Sequence, residues 1–300
     1  MSLANYKDTG SDKLFNIIIM ITLVTIFVLI LYPLVYIVSA SFSSPLAIIQ
    51  GKVKLLPVDF SLDGYKEIFS HKSIVYGFFN SIFYMVTATS LNLILTVLVA
   101  YPLSRKDFKY KKWFILPIVF TMIFNPGLIP NYLLIKNLNL VNKRLVLILP
   151  KAINAWNVMI AITFFKTNIP DELLESAKID GCNDFQFIPM VVLPLSKAII
   201  AVMALFYAVE HWNAYFDAMI YLTDKIKFPI QLVMRDILIS NQITMEMAMI
   251  ADPQTLMIKE NLAILLKYSL IVVSTFPVMI IYPFVQKHFV KGVMMGSVKG

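Results

Sequence analysis

Long apolar stretches separated by short polar segments dominate the chain. Six of them contain the ~20 mostly apolar residues that a helix needs to cross the hydrocarbon core of a membrane. The pattern therefore predicts an all-α integral membrane protein with six transmembrane helices. The predicted helices cover residues 14–38, 76–103, 113–135, 145–165, 198–222 and 268–285.

The first apolar stretch is predicted to be a retained helix rather than a cleaved signal peptide. It is too long for a signal sequence, and it ends in Tyr32-Pro33-Leu34-Val35-Tyr36 without a small-residue cleavage site. The third stretch contains Asn125-Pro126-Gly127, which predicts a break in its helix. In the polar segment 223–262, an apolar periodic patch over 230–239 predicts a short helix at the membrane surface or a loop that reaches toward a partner.

The composition agrees with a membrane protein. The chain has 300 residues, of which 59% are hydrophobic and only 15% are charged, and a soluble domain of this length needs more charge to cover its surface. The net charge of +8 comes from bases that lie beside apolar runs, so we interpret them as orientation signals and expect no nucleic-acid partner. Cys182 is the single cysteine, which excludes an intramolecular disulfide and a cysteine-cluster metal site.

Basic residues predict the orientation in the membrane. The loop after the second helix has five bases and one acid, and the C-terminal tail has three lysines and no acid. Cytoplasmic loops are enriched in Lys and Arg, so both are expected in the cytoplasm. The predicted regions are a cytoplasmic N-terminus (1–13), an extracytoplasmic segment (39–75), a transmembrane core (76–285) that includes a cytoplasmic loop (166–197), and a cytoplasmic tail (286–300).

The cytoplasmic loop 166–197 is rich in acids, which fits a docking surface better than an orientation signal. It is predicted to form a helix–turn–helix. Pro170 suits a helix start, acids in the first turn favour the helix dipole, and Gly181 permits a turn. Leu173, Leu174 and Ala177 form an apolar stripe at helical spacing. We expect this stripe to insert into a groove on a partner protein.

The same loop carries a spaced motif: Glu175-Ser176-Ala177, then Gly181, then Val191-Val192-Leu193-Pro194. It resembles the cytoplasmic coupling motif of the permease subunits of ABC importers, with small-for-small differences at Ser176, Cys182 and Val191. The resemblance implies that Glu175, Ser176, Ala177, Asp180 and Gly181 couple the permease to an ATPase. Stretches over 125–132, 147–150 and 212–222 resemble the carbohydrate-uptake subfamily. The ending over 289–300 is similar to its lipoprotein- and polygalacturonan-type branch, which serves complex oligosaccharides.

This resemblance implies a type I importer permease fold and transport of an oligosaccharide across the cytoplasmic membrane of a bacterium by alternating access. It also implies four partner subunits or proteins: a second, homologous permease, two ATP-binding subunits, and an extracytoplasmic solute-binding protein.

The sequence lacks the features of a catalytic or ATP-binding subunit. The nine glycines do not form the Gly-x-x-x-x-Gly-Lys-Ser/Thr loop that holds phosphates, and no Gly-x-Ser-x-Gly elbow is present. The three histidines are too dispersed for a His-x-x-x-His metal site. We therefore expect a non-catalytic subunit without a cofactor. A proton-coupled secondary transporter and an integral-membrane glycosyltransferase stay open as alternatives, although neither explains the acidic helix–turn–helix.

Polar residues inside the predicted helices need a reason, because an ionised group at mid-membrane costs ~2.5–3.5 kcal/mol. In the fifth helix Glu210, Asn213 and Asp217 are spaced to share one face, with Trp212 and Tyr215 beside it. The fourth helix offers Asn154, Trp156 and Asn157. Aromatic faces with amide and carboxylate groups suit a sugar, so these eight residues are candidates for the substrate pathway. The alternative is that they join helices by hydrogen bonds.

A buried ion pair between Lys151 and Asp217 is a further prediction. Both residues are expected roughly 10 Å below the outer boundary at 1.5 Å per residue, whereas Glu210 lies deeper. Pairing would offset much of the cost of each charge. The alternative is that Lys151 extends to the interface while Asp217 faces a water-filled path.

Overall fold

The computed structural model describes the backbone of residues 10–247 and 253–297, and the side chains of residues 10–239, 260–283 and 286. Every regular element in these ranges is a helix, which confirms the all-α prediction. The α-helices are α1 (Gly10–Ser41), α2 (Pro45–Ile49), α3 (Asp63–Ser70), α4 (Lys72–Ser104), α5 (Lys111–Ile123), α6 (Leu128–Asn137), α7 (Ala155–Asn168), α8 (Asp171–Ile179), α9 (Asp184–Phe187), α10 (Leu193–Leu195), α11 (Lys197–Trp212), α12 (Phe216–Tyr221), α13 (Ile230–Met247) and α14 (Pro253–Ser297). Short 3-10 or π turns cover Arg144–Leu147, Ile188–Val192 and Lys225–Lys227.

Three helices in the described part of the chain are long and apolar enough to cross a membrane alone. They are Gly10–Ser41, Lys72–Ser104 and the segment Glu260–Pro283 of α14. The pair Asp184–Leu195 and Lys197–Trp212 also meets this condition, although it is bent by 87°. The count of six transmembrane helices therefore stays a prediction, since the other predicted helices are short or broken.

The break in the third predicted helix is confirmed. α5 ends at Ile123 and α6 begins at Leu128. Between them, Gly127 has a φ of 84° and donates its backbone N–H to Asn125 Oδ1 at 3.0 Å. An asparagine side chain that accepts from the backbone two residues later stabilises a turn, and glycine tolerates the positive φ.

Two other predicted helices differ from the structure. The fourth is shorter, because Asn154 caps α7 by accepting the N–H of Asn157 at 3.2 Å, and irregular backbone precedes the cap. The prediction of one continuous helix over 198–222 is wrong. α11 ends at Trp212, and the separate helix α12 begins at Phe216. The patch over 230–239 forms a helix rather than a loop, because it lies in α13, which extends to Met247.

The chain divides into two compact units, Met1–Ser70 with Leu238–Val273, and His71–Ile237 with Ser274–Gly300. In the first unit, Ala40 and Ala47 form a small core against which Tyr268 packs. Gly64 allows close contact there, since a Cβ at this position would lie 2.3 Å from Ser269 Oγ. The predicted extracytoplasmic segment 39–75 thus includes α2 and α3 and is folded against α14.

In the second unit, α4 is the central helix and packs most extensively on α11 and α7. One buried polar contact joins this layer, a 2.7 Å hydrogen bond between the hydroxyls of Thr96 and Tyr207. Around it, a continuous apolar core runs from α4 to the segment that follows α7, and it includes the fully buried Phe165 and Phe187. Helices α4, α7 and α11 therefore form a common support for the two polar sites described below.

The connection between α12 and α13 is fixed by side chains that form hydrogen bonds with its backbone. Asn80 on α4 donates to the carbonyls of Ile226 and Phe228, and Tyr84 donates to that of Lys227. Asn142 accepts the backbone N–H groups of Thr223 and Asp224 on its side-chain oxygen. These bonds satisfy backbone groups that no helix would otherwise pair, and those from Asn80 and Tyr84 hold the connection against α4.

Candidate functional site

The coupling segment, residues 170–187, is the helix–turn–helix that the sequence predicts. Its first helix, α8, begins after Pro170 with Asp171 and Glu172 in the first turn. Its end is a Schellman motif: Cys182 N donates to Ala177 O at 2.9 Å, and Gly181 N donates to Lys178 O at 3.1 Å. Gly181 has a φ of 80°, so its lack of a Cβ is what permits this turn.

The second helix of the coupling segment, α9, begins with a capping box. Asn183 Oδ1 accepts the N–H of Gln186 at 2.8 Å, and Gln186 Oε1 accepts the N–H of Asn183 at 3.1 Å. Both turns of the segment are therefore specified by local hydrogen bonds, which makes it a defined surface rather than a loose loop.

The predicted role of the apolar stripe needs a correction. Leu174 is buried in the core of this chain, and Ala177 packs against the same core, so these two side chains do not face a partner. Leu173 is the partly exposed member at 39%. The prominent exposed apolar side chains are Ile179 (87%) and Phe185 (83%), on either side of the Gly181 turn. Helical spacing alone cannot distinguish a stripe that packs internally from one that docks.

Two ion pairs attach the coupling segment to the residues after α4. Lys106 Nζ lies 2.8 Å from Asp171 Oδ2, at the start of α8. Arg105 Nη1 lies 2.7 Å from Asp184 Oδ1, at the start of α9. We call these two pairs the clamp. Asp107 also bonds Arg105, and this contact lowers the pKa of the Asp107 carboxyl, while Asp171 raises the pKa of Lys106.

The clamp explains part of the acidic character of the coupling segment. The sequence pattern alone did not reveal that the bases after α4 pair with the acids after α7. The signal that could have revealed this pairing is the opposite charge of two loops that are predicted to lie on the same side of the membrane. Glu175 and Asp180, together with Ser176, stay exposed, and the described side chains provide no ion pair to either acid. These groups remain available to a partner.

The polar residues of the fifth predicted helix do not share one helical face. Glu210 is exposed near the end of α11, and Asn213 lies beyond that end, where its side chain donates to Val209 O at 2.9 Å. Asp217 lies in the next helix, α12. No Gly or Pro marks the interruption between Trp212 and Phe216, which is why the spacing suggested a single helix.

Four of the other aromatic and amide candidates divide into a buried and an exposed group. Trp212 is buried: its Nε1 donates to Ser274 O at 2.9 Å and its ring meets Phe78 edge-on, so it packs helices together, as the alternative interpretation expected. Asn157 is also buried. In contrast, Trp156 (62%) and Tyr215 (43%) are exposed.

The predicted contact between Lys151 and Asp217 is confirmed. Lys151 Nζ lies 2.7 Å from Asp217 Oδ2. The pair is not fully buried, because 48% of the Lys151 side chain and 25% of the Asp217 side chain are exposed. Asn92 on α4 fixes the backbone here by donating to Lys151 O at 2.8 Å. The pair therefore connects the segment before α7 to α12, and α4 supports it.

The Lys151–Asp217 pair borders a cavity of about 400 Å³. Asn131 and Tyr221 contribute the other polar lining groups, and leucines of α6 and of the following loop contribute most of the apolar wall. The Tyr221 ring stacks on Tyr132 at a centroid distance of 6.1 Å. A volume of this size lies within the ~300–1,000 Å³ range of small-molecule sites.

No protein-family model matches the chain, but individual proteins do. It is 41% identical, over 96% of its length and 99% of the relative, to YtcP of Bacillus subtilis, the permease protein of a polygalacturonan/rhamnogalacturonan transport system. It is 38% identical to the Bacillus subtilis protein LplC, over 98% of the chain and 97% of the relative. The chain also resembles a crystal structure of a bacterial ABC transporter involved in the import of the acidic polysaccharide alginate. The match covers 94% of this chain and 99% of the chain in that structure, at 34% sequence identity and a TM-score of 0.86.

Gly181→Val tests the turn of the coupling segment. A Cβ at this position meets no atom within 4 Å, so the effect is backbone strain alone, which costs roughly 1–2 kcal/mol for a β-branched residue in the left-handed region. We expect transport to fall about tenfold with unchanged membrane insertion. Gly181→Asn, which tolerates this conformation, is the matched control. Equal uptake by both variants would show that the turn does not couple transport.

A charge reversal tests the Lys151–Asp217 pair. Lys151→Asp and Asp217→Lys each place like charges together. Each should lower the free energy of unfolding by ~1–2 kcal/mol, because the pair is partly exposed, and should therefore lower the yield of folded protein. The double variant restores opposite charges and should recover most of the yield and the transport. Fluorescence size-exclusion chromatography measures the yield. A double variant no better than the worse single variant would contradict a functional pair.

Proposed function

The chain belongs to the permease subunits of sugar ABC importers, and we propose that it forms one half of a path that moves an oligosaccharide across the cytoplasmic membrane by alternating access. It is a non-catalytic integral membrane subunit. The observation that carries the proposal is the coupling segment, whose Schellman turn presents Ile179, Phe185 and unpaired acids beyond the protein's own core.

The proposed substrate is an oligosaccharide. Similarity to a permease of polygalacturonan/rhamnogalacturonan transport supports this class. Within the chain, the proposed path includes the exposed Glu210, Asn213 and Tyr215, and Asp217 at the cavity. Trp156 is exposed on α7, whereas Trp212 and Asn157 are buried and contribute packing, and Asn154 caps α7.

The proposed assembly contains a second permease, two ATP-binding subunits and an extracytoplasmic solute-binding protein. Support for a second permease comes from α5, which has no buried residue. Beside it, α7 and α11 contribute to an open apolar groove of about 680 Å³ that Val119, Met122, Trp156 and Ile199 line. Apolar surface of this extent favours contact with another helix-rich subunit or with lipid.

The proposed mechanism begins at the coupling segment. When the ATP-binding subunits close, they displace α8 and α9. The clamp passes this displacement to the end of α4, and α4 in turn packs on α7 and α11. Since helices packed at close density move as rigid bodies, the displacement reaches the helices that flank the Lys151–Asp217 pair and changes access to the path.

The energy source distinguishes this function from proton-coupled transport. The purified chain alone should hydrolyse no ATP, because its sequence has no phosphate-binding loop. Uptake by cells that express the whole transporter should continue when an uncoupler collapses the proton gradient and ATP is kept constant. Loss of uptake under these conditions, or ATP hydrolysis by the chain alone, would contradict the proposal. A Walker-lysine variant of the partner ATPase, which should abolish uptake, is the control.

A further inference from the structure

The loop between α2 and α3, residues 51–60, exposes large apolar side chains. Leu55, Leu56 and Phe60 are each more than half exposed, and the exposed fraction of Leu56 reaches 77%. The loop is nevertheless held in place, because Val53 is buried within it. Large apolar side chains that a folded loop presents outward mark a surface that an apolar partner covers. We call residues 51–60 the α2–α3 loop.

The depth of this loop follows from α1. The apolar stretch of α1 begins at Leu14, and ~20 helical residues cross the hydrocarbon core, so the helix leaves the core near Leu34. Tyrosines are enriched at this level of a membrane, and Tyr36 here packs edge-on against Tyr268 of α14. Ser39 lies about 8 Å beyond Leu34 at 1.5 Å per residue. Since the headgroup layer is roughly 5–8 Å thick on each side, Ser39 lies at its outer edge.

The α2–α3 loop runs along the end of α1 toward the hydrocarbon core. Val58 N donates to Ser43 Oγ at 3.0 Å, and three residues earlier Leu55 O accepts from Ser39 Oγ at 2.6 Å. Ser43 lies one turn beyond Ser39, whose carbonyl accepts the Ser43 hydroxyl at 2.7 Å. Between Val58 and Leu55 the backbone therefore comes about one helical pitch, ~5 Å, closer to the core. This brings Leu55 and Leu56 to the headgroup layer.

The charges of the α2–α3 loop are arranged along the same direction. Lys52 and Lys54 precede the two leucines, both are exposed, and the described side chains provide no ion pair to either. The one acid of the loop, Asp59, lies at its far end, where Ser44 Oγ donates to Asp59 Oδ2 at 3.5 Å. Positive charge thus accompanies the apolar tip, and negative charge lies farther from the membrane. Anionic lipid headgroups attract lysines at this level.

We propose that the α2–α3 loop is a lipid-binding anchor, in which Leu55 and Leu56 insert into the membrane surface while Lys52 and Lys54 bind the phosphates of anionic phospholipids. Insertion removes the two leucine side chains from water. The lysine stems lie along the apolar surface and keep their ammonium groups among the headgroups. A water-soluble partner, such as the solute-binding protein, would have to displace lipid to reach this tip. The anchor fixes the depth of the end of α1, whichever sugar is transported.

The test measures the depth of the loop with a nitroxide spin label. Cys182 is the single cysteine, so the Cys182→Ser background accepts a label at Leu56→Cys or, independently, at Leu55→Cys. Power-saturation electron paramagnetic resonance compares the accessibility of the label to oxygen, which concentrates in lipid, and to a nickel–EDDA complex, which stays in water. The reference label is at Lys66→Cys, on the exposed side of α3. The assembled transporter is placed in nanodiscs of phosphatidylcholine, alone or mixed with phosphatidylglycerol.

We expect the oxygen-to-nickel accessibility ratio to be severalfold higher at both leucine positions than at the reference position. The ratio at Leu56→Cys should rise further when phosphatidylglycerol is present, because an anionic surface attracts the two lysines. That rise should disappear in Lys52→Gln with Lys54→Gln. It should persist in the matched control Lys66→Gln with Lys72→Gln, two exposed lysines of the predicted extracytoplasmic segment 39–75.

Three results would overturn the anchor. The first is a ratio at both leucine positions that is as low as the ratio at the reference position. The second is a response to phosphatidylglycerol that Lys52→Gln with Lys54→Gln leaves unchanged. The third is a label that lies in water and becomes shielded from both reagents only when the solute-binding protein is added, which would assign the loop to that partner instead.

Discussion

Two ion pairs, Lys106–Asp171 and Arg105–Asp184, hold both helices of the coupling segment to the residues that directly follow α4. They set the position of a surface whose shape is otherwise fixed locally, by a Schellman turn at Gly181 and a capping box at Asn183. The Lys106–Asp171 pair and the Asp184 carboxylate are exposed, and ion pairs in such places contribute little to stability. Their importance is geometric, because they make the coupling segment and the end of α4 one mechanical unit.

The second polar site depends on the same helix. Asn92, on α4, bonds the backbone of Lys151, and Lys151 pairs with Asp217 on α12. A displacement of α4 would therefore act on the coupling segment at one end of the helix and on the Lys151–Asp217 pair toward the other end. The Thr96–Tyr207 hydrogen bond and the apolar core between α4, α7 and α11 keep these helices together in between. The proposed transport mechanism needs this continuity.

The sequence predicted the features that depend on local pattern or on depth in the membrane. Helix identity, the break at Asn125-Pro126-Gly127 and the turn at Gly181 follow from residues with strong backbone preferences. The Lys151–Asp217 contact was predicted from matched depth and the cost of isolated charges, although Lys151 precedes α7 and Asp217 lies in the separate helix α12, so the continuous helices used to estimate that depth do not exist. Features set by tertiary contacts were not predictable in this way. The break after Trp212 has no Gly or Pro to mark it, and only the folded core shows that Leu174 and Ala177 face inward while Ile179 and Phe185 face outward.

The most direct test of the central claim is the amount of sugar transported per ATP hydrolysed by the reconstituted transporter when the clamp is removed. The variant Asp171→Asn with Asp184→Asn loses both ion pairs but keeps side chains of the same size. Asp63→Asn, which removes the exposed Lys66–Asp63 pair in the other unit, is the matched control. The account predicts that ATP hydrolysis persists while the transport-to-hydrolysis ratio falls severalfold in the clamp variant alone. An unchanged ratio in that variant would contradict a mechanical role for the clamp.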